Sequence, residues 1–208
     1  YGADASTALG PFDLYAEAAL LGDAPSPQYR VNTALTTGPD LSTLVSEVPA
    51  SGPFAQVSGG LTHTFGWKEN RQATIGAEYF YNAAGHSSAS VYPALIFFGQ
   101  YQPFYTGRHY AALYMTAEGP DAAKKTSFTF STLGNFSDLS YISRLDFSWR
   151  VLTYLTFESF VSVHYGTQGG EFNFTLSTPA VTYLGSPVSA INIPATVMDL
   201  GLGLRMSL

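Results

Sequence analysis

Residues Thr196 to Leu208 read Thr-Val-Met-Asp-Leu-Gly-Leu-Gly-Leu-Arg-Met-Ser-Leu. One parity holds Met198, Leu200, Leu202, Leu204, Met206 and Leu208; the other holds Asp199, Gly201, Gly203, Arg205 and Ser207. Successive side chains of an extended chain point to opposite faces, so this stretch predicts a strand with one oily face and one polar or small face.

The same period recurs upstream. Tyr154 to Tyr165 sets Leu155, Phe157, Val161, Val163 and Tyr165 against Thr156, Glu158, Ser162 and His164. Ser140 to Val151 sets Tyr141, Leu145, Phe147, Trp149 and Val151 against Arg144, Asp146, Ser148 and Arg150. Weaker versions span Phe54 to Gly66, Gln72 to Asn82, Arg108 to Glu118 and Thr126 to Leu133. At the front, Tyr1 to Leu9 and Phe12 to Leu21 flank Gly10-Pro11; over Asp13 to Leu21 a short helix is the alternative, because Ala, Leu and Glu favour one. Within all these segments every Asp, Glu, Lys and Arg falls on the polar parity. The energetic reason is direct: a lone Arg or Lys facing lipid at midplane costs about 2 to 4 kcal/mol. A soluble sandwich also alternates, but its outer face is rich in Lys and Glu, whereas here the polar face is Gly, Ser, Thr and Tyr with sparse charge.

Composition agrees and removes other classes. Charged residues are 12% of the 208, about half the usual share. Apolar residues at 46% exclude intrinsic disorder. A formal net charge of −6 excludes nucleic acid as a partner. With no Cys there is no disulfide and no thiolate metal site, which fits an oxidising compartment. Ser87 to Gly107 is apolar-leaning, yet Pro93 and Pro103 keep it from being a continuous spanning helix. The expected fold is therefore all-β: an antiparallel transmembrane β-barrel with eight or nine strands, residues 1–208 forming one domain.

Connections alternate in length. Gly10-Pro11, Trp67 to Arg71, Gly119 to Lys125 and Leu152-Thr153 are short, while Gly22 to Pro53, Ala83 to Gly107 and Gly166 to Ala195 are long, with Gly134 to Leu139 a brief exception. Short periplasmic turns and long extracellular loops are the asymmetry of membrane barrels. Tyr81, Tyr141, Trp149, Tyr154 and Tyr165 fall near segment ends, where an interfacial girdle belongs.

On these features the sequence resembles the bacterial outer-membrane β-barrel proteins, over nearly its whole length. The resemblance implies a Gram-negative outer membrane, contact with its lipids and lipopolysaccharide, and a terminal strand (Leu204, Met206, Leu208) read by the barrel-assembly machinery. The family usually ends in an aromatic residue, where this chain has Leu208. Nine strands conflict with the even strand numbers of single-chain bacterial barrels. Either Tyr1 to Leu9 does not span and the barrel has eight strands, or the chain is the C-terminal part of a larger barrel, which is the expectation preferred here.

The expected lumen charges are Asp4, Asp13, Glu17, Glu78, Glu118, Asp146, Glu158 and Asp199 against Arg108, Arg144, Arg150 and Arg205, with His164 beside them. The acidic excess leans a pore toward cations; Arg144, Asp146 and Arg150 equally well pair across strands. Ser162, His164 and Glu158 share a face and raise a hydroxyl nucleophile and base, but Glu158 is too distant along the strand to orient His164, so polar lining is the reading adopted. His63, His86 and His109 lack ligand spacing, so no metal is expected, and no cofactor. Gly59-Gly60 reads as a strand kink and Gly169-Gly170 as a loop turn. The oily loop with Leu95, Ile96, Phe97, Phe98 and Phe104 is expected to constrict the lumen, touch lipopolysaccharide, bind another protein or pack on itself. The function expected is a porin-like passage, or the membrane barrel of a surface assembly, without catalysis; the alternatives are a non-conducting scaffold and a lipid-modifying enzyme.

Overall fold

The computed structural model describes residues 1–22, 28–31, 45–49, 52–66, 71–120, 125–178 and 180–207. Nine of its strands form one antiparallel sheet in chain order: β1 (Gly2–Leu9), β2 (Phe12–Leu21), β5 (Phe54–Gly66), β6 (Gln72–Asn82), β7 (His109–Glu118), β8 (Thr126–Asn135), β9 (Ser140–Leu152), β10 (Leu155–Gly166) and β15 (Met198–Met206). The long connections hold three two-stranded ribbons: β3 (Gln28–Val31) with β4 (Val45–Val48), β11 (Leu176–Thr178) with β14 (Ile191–Ile193), and β12 (Val181–Tyr183) with β13 (Ser186–Val188). Among the described residues the outer edges of β1 and β15 meet no other strand. No described helix is long and apolar enough to cross a membrane.

The all-β expectation is met, and the strand count is nine: residues 2–9 pair with β2 along their whole length. The helical alternative over Asp13 to Leu21 gives way, because β2 is laddered on both sides, by β1 and β5. Gly59-Gly60 is not a kink, since register runs unbroken through both ladders of β5. Gly60 is instead a seat for a ring: a Cβ there would lie 2.5 Å from the Tyr15 hydroxyl oxygen, and at Gly76 it would strike Tyr114 in the same way.

Register joins like faces. Glu17 lies opposite Ser58, Ser58 opposite Phe80, Thr74 opposite Thr116, Thr129 opposite Asp146, Arg144 opposite Ser162, and Ser162 opposite Asp199. Because period-two parity is preserved from ladder to ladder, one face of the whole sheet is polar and the other apolar. The apolar face is uncovered: Leu113 is 57% exposed and Leu202 81%. So large a contiguous oily surface is foreign to a monomer in water. Aromatic rings rim it at both ends. Phe12, His63 and Phe65 pack beside the short turns, at the strand ends that also carry Trp149 and Tyr154, while Tyr79 and Tyr81 pack on His109, and Tyr141 on Tyr165, beside the long connections.

The buried apolar core lies elsewhere, in a cap built from the long connections. Gly85 and Gly107 close residues 83–107 into a loop, with backbone so near that a Cβ on Gly85 would lie 2.0 Å from the Gly107 carbonyl oxygen. Inside it Ser88 accepts a bond from Ser90 N, and Pro93 sits in the first turn of a short helix, Tyr92–Phe97, where its missing N–H costs nothing. Val91, Tyr92 and Leu95 form the cap's core, packed by Tyr29, Val31, Ala89 and Tyr101.

Candidate functional site

The polar face divides into two sectors of different electrostatics. Strands β1, β2, β5, β6, β7 and β8 contain no Lys or Arg, yet they carry Asp4, Asp13, Glu17, Glu78 and Glu118 on the polar parity. Asp4 lies directly opposite Glu17, an arrangement of like charges that destabilises a ladder unless something compensates it. Tyr15 donates to Glu78 Oε2 at 2.5 Å, and Gln72 N donates to Glu118 Oε2 at 3.2 Å. Asp4, Glu17, Ser58, Glu78 and Phe80 line a cavity of about 700 Å³ together with Phe104 and Tyr105 of the cap. Residues from β1 to β8 bordering one space mean that the sheet curves around its polar face.

The second sector, on β9, β10 and β15, is neutralised within itself. Arg144 Nη2 meets Asp146 Oδ1 at 2.6 Å, and its guanidinium lies 3.8 Å over the Phe160 ring. Arg205 meets Glu158 at 3.0 Å and His164 Nε2 meets Asp199 at 2.8 Å. Arg150 lies opposite Thr156 on the same face. Arg144 therefore pairs along its own strand, two residues on, while the cross-strand ion pair is Arg205 with Glu158. A cavity of about 460 Å³ runs along this sector, lined by Ser127, Thr129, Ser148, Glu158 and Gly203 among others.

His164 shows what this face does chemically. Its Nδ1 lies 2.6 Å from the Phe172 carbonyl oxygen and its Nε2 2.8 Å from the Asp199 carboxylate. Both nitrogens thus face oxygen atoms of Phe172 and Asp199, and both are engaged by groups other than Ser162. Ser162 itself is buried.

Above the polar face, three connections are tied by one buried network. Asp138 accepts from Tyr92 Oη at 2.7 Å, Asn135 Nδ2 at 3.1 Å, Glu171 N at 2.8 Å, and Ser140 through both its N and its Oγ. Glu171 accepts from Tyr110 Oη at 2.6 Å, Asn135 Nδ2 at 2.8 Å and the Phe104 N–H. The Asn135 amide is the hinge pin, joining two buried carboxylates. Burial pushes the Tyr92 and Tyr101 hydroxyls above the usual tyrosine range, with Asp138 and Glu171 respectively adding to it. Burial also raises Glu171, against the opposing pull of the bonds from Tyr110, Phe104 and Asn135. His86 is held below the usual histidine range by burial and then by Arg108.

The cap redraws several expectations. Leu95 is buried beside Tyr92; Phe97 and Phe98 pack on Tyr183 inside the cap, at ring distances of 5.0 and 6.0 Å. Ile96 is half-buried. Phe104 alone of this group borders the polar cavity, with a left-handed backbone (φ 67°) fixed by the Glu171 bond. Arg108 stands just outside β7 and reaches the Gly85 carbonyl from Nε at 3.3 Å. His109 joins the outer aromatic rim, 2.7 Å from Tyr79 Oη. Leu204 and Met206 are exposed on the apolar face; Leu208 lies outside the described residues, as do 67–70 and 121–124 of the short turns. Nothing in the spacing of Asn135, Asp138 and Glu171 along the sequence announces that a hairpin and two loops converge.

No protein-family model matches this sequence, and no curated protein matches it. Among solved structures it is similar to OmpT, in-vitro folded, an outer membrane protein of Vibrio cholerae, at 10% identity and a TM-score of 0.40. The match covers 98% of this chain and 53% of that one, so the chain spans about half the length of the structure it matches.

Proposed function

We propose that this chain forms wall of an outer-membrane β-barrel enclosing a porin-like passage that favours cations and performs no catalysis. One observation carries the reading: through eight successive ladders every Asp, Glu and Arg of the sheet shares one face, while the other is uncharged, oily and exposed. Lipid is the solvent for the second face and water for the first. The preference for cations follows from the acids Asp4, Glu17 and Glu78 beside the larger cavity, none of which forms an ion pair among the described residues, while the opposite sector has cancelled its own charge. On this reading the exposed Leu204 and Met206 belong to the assembly signal, and the rim rings meet lipid and lipopolysaccharide headgroups.

The cap favours a second reading, a non-conducting scaffold for a surface assembly, because its packed core lies over one end of the polar face. Planar-bilayer recording on the full encoded polypeptide separates the two. The passage reading expects steady conductance and a reversal potential shifted toward the cation in a salt gradient. Silent, correctly folded protein sinks it in favour of the scaffold.

A further inference from the structure

Two arginines of the cap meet at one cavity with no acid beside them. Arg30, Arg108, His86, Ser87, Ser88 and Ser90 line a space of about 560 Å³ at the long-connection end of the sheet, and no Asp or Glu lines it. The β3–β4 ribbon is held there by Gln28, whose Nε2 donates to the Ala84 carbonyl at 2.6 Å, and by Tyr29, stacked on Phe98 at 5.3 Å. Arg108 gives its Nε to the Gly85 carbonyl, which leaves its two terminal nitrogens for other acceptors. Among the described residues neither arginine forms an ion pair. The buried carboxylates of the cap, Asp138 and Glu171, are taken up by Tyr92, Tyr110 and Asn135 and border none of this space. In a chain of net charge −6, a basic cavity free of acids is a local reversal of sign.

Hydroxyls and an unpartnered ring complete the lining. Ser88 Oγ donates to Ser90 Oγ at 3.1 Å and accepts from Ser90 N at 3.2 Å, so the Ser90 hydroxyl keeps its own proton to give. His86 is 7% exposed, and its Nε2 is buried without a hydrogen-bond partner among the described residues. Such a nitrogen is costly unless a bound group supplies the partner. An anion seated on Arg108 would also offset the charge that, after burial, holds this ring below the usual histidine range. The donors come from three separate segments: β3, the loop of Ser87 to Ser90, and the residue before β7. Guanidinium forks and hydroxyls converging from three sides suit a tetrahedral oxyanion with three free oxygens better than a planar carboxylate with two.

We infer that this cavity is a phosphate site, in which the guanidiniums of Arg30 and Arg108 and the Ser90 hydroxyl take the terminal oxygens of a phosphate monoester. A lipopolysaccharide headgroup and a soluble sugar phosphate present the same group. The full encoded polypeptide, folded in maltoside detergent at low ionic strength, is titrated calorimetrically with inorganic phosphate. Expected is saturable binding at one site per chain, weakened about tenfold or more by Arg30→Gln and by Arg108→Gln. Lys125→Gln, beside a short turn at the other end of the sheet, should leave it unchanged. The Arg30 side chain is exposed and holds no other described group by hydrogen bond or ion pair, so its loss reads binding and not folding. The ring-nitrogen resonance of His86 should move as phosphate saturates. No saturable binding, binding that Arg30→Gln leaves unchanged, or a His86 resonance that stays fixed at saturation overturns the inference. Competition then assigns the source. Displacement of phosphate at lower concentration by lipopolysaccharide than by glucose 6-phosphate assigns a lipid headgroup, and the reverse order a soluble solute; equal displacement by dephosphorylated lipopolysaccharide overturns the phosphate chemistry. The site needs neither a passage nor lipid against the sheet, so its failure leaves those readings standing, and bilayer recording tests them apart from it.

Discussion

The wall and the cap are folded by opposite rules. On the wall, leucines and aromatics are the exposed residues and the charges share the enclosed face; in the cap, Tyr92 is 0% exposed at the centre of an ordinary apolar core. On the proposed reading the wall gains its stability from backbone ladders and a lipid solvent, while the cap gains it from apolar burial and a hydrogen-bonded polar network. If the oily face meets lipid, one chain obeys the physics of two solvents, and substitutions should separate them.

The largest effect is expected on the wall. Leu113→Arg places a charge on the oily face near mid-strand and should cost about 2 to 4 kcal/mol in bilayers, read as a fall in urea midpoint of the folded barrel. At an exposed site in water the same change costs within about 0.5 kcal/mol, and that result would erase the contrast. Next comes the cap. Asn135→Ala removes the amide shared by Asp138 and Glu171 and should cost about 1 to 3 kcal/mol locally. Protease cutting within residues 83–107 is the measurement, and it should rise with the wall's urea midpoint little changed; equal loss in both regions would make them one cooperative unit.

A pair of glycines on β15 tests packing on the polar face. A Cβ at Gly201 would lie 2.0 Å from the Phe160 ring, whereas at Gly203 nothing lies within 4 Å. Gly201→Ala should cost about 1 to 3 kcal/mol and Gly203→Ala less than about 0.5 kcal/mol by urea titration; equal costs would contradict the Phe160 placement. The smallest effect is the pH dependence of the cap. Glu171 titrates higher folded than unfolded, so its contribution is present below the ordinary glutamate range and lost as pH rises through its raised value. Exchange of the Phe104 amide, corrected for intrinsic rate, should slow as pH falls through that window, and Glu171→Gln should remove the dependence.

This division also decides what was legible in advance. The wall could be read because alternation is a local signal: Met198 to Met206 announces its face without knowledge of any neighbour, and parity then assigns Arg144, Glu158 and Asp199 to one side. Local signals failed where identity depends on convergence. The Glu171 clasp joins residues up to 67 positions apart, from Phe104 to Glu171, and Gly60 read as a kink because its real role, seating Tyr15, belongs to another strand. The pairing of His164 with Asp199 rather than Glu158 likewise needed the β10–β15 register.

The central claim is that alternate residues of one strand meet different solvents. The chain has no Cys, so single thiols can be read against a clean background. In native membranes, a charged water-soluble maleimide should label Thr129→Cys and Ser131→Cys and spare Phe128→Cys and Phe130→Cys. Phe130→Cys labelling as fast as its two neighbours would contradict the account.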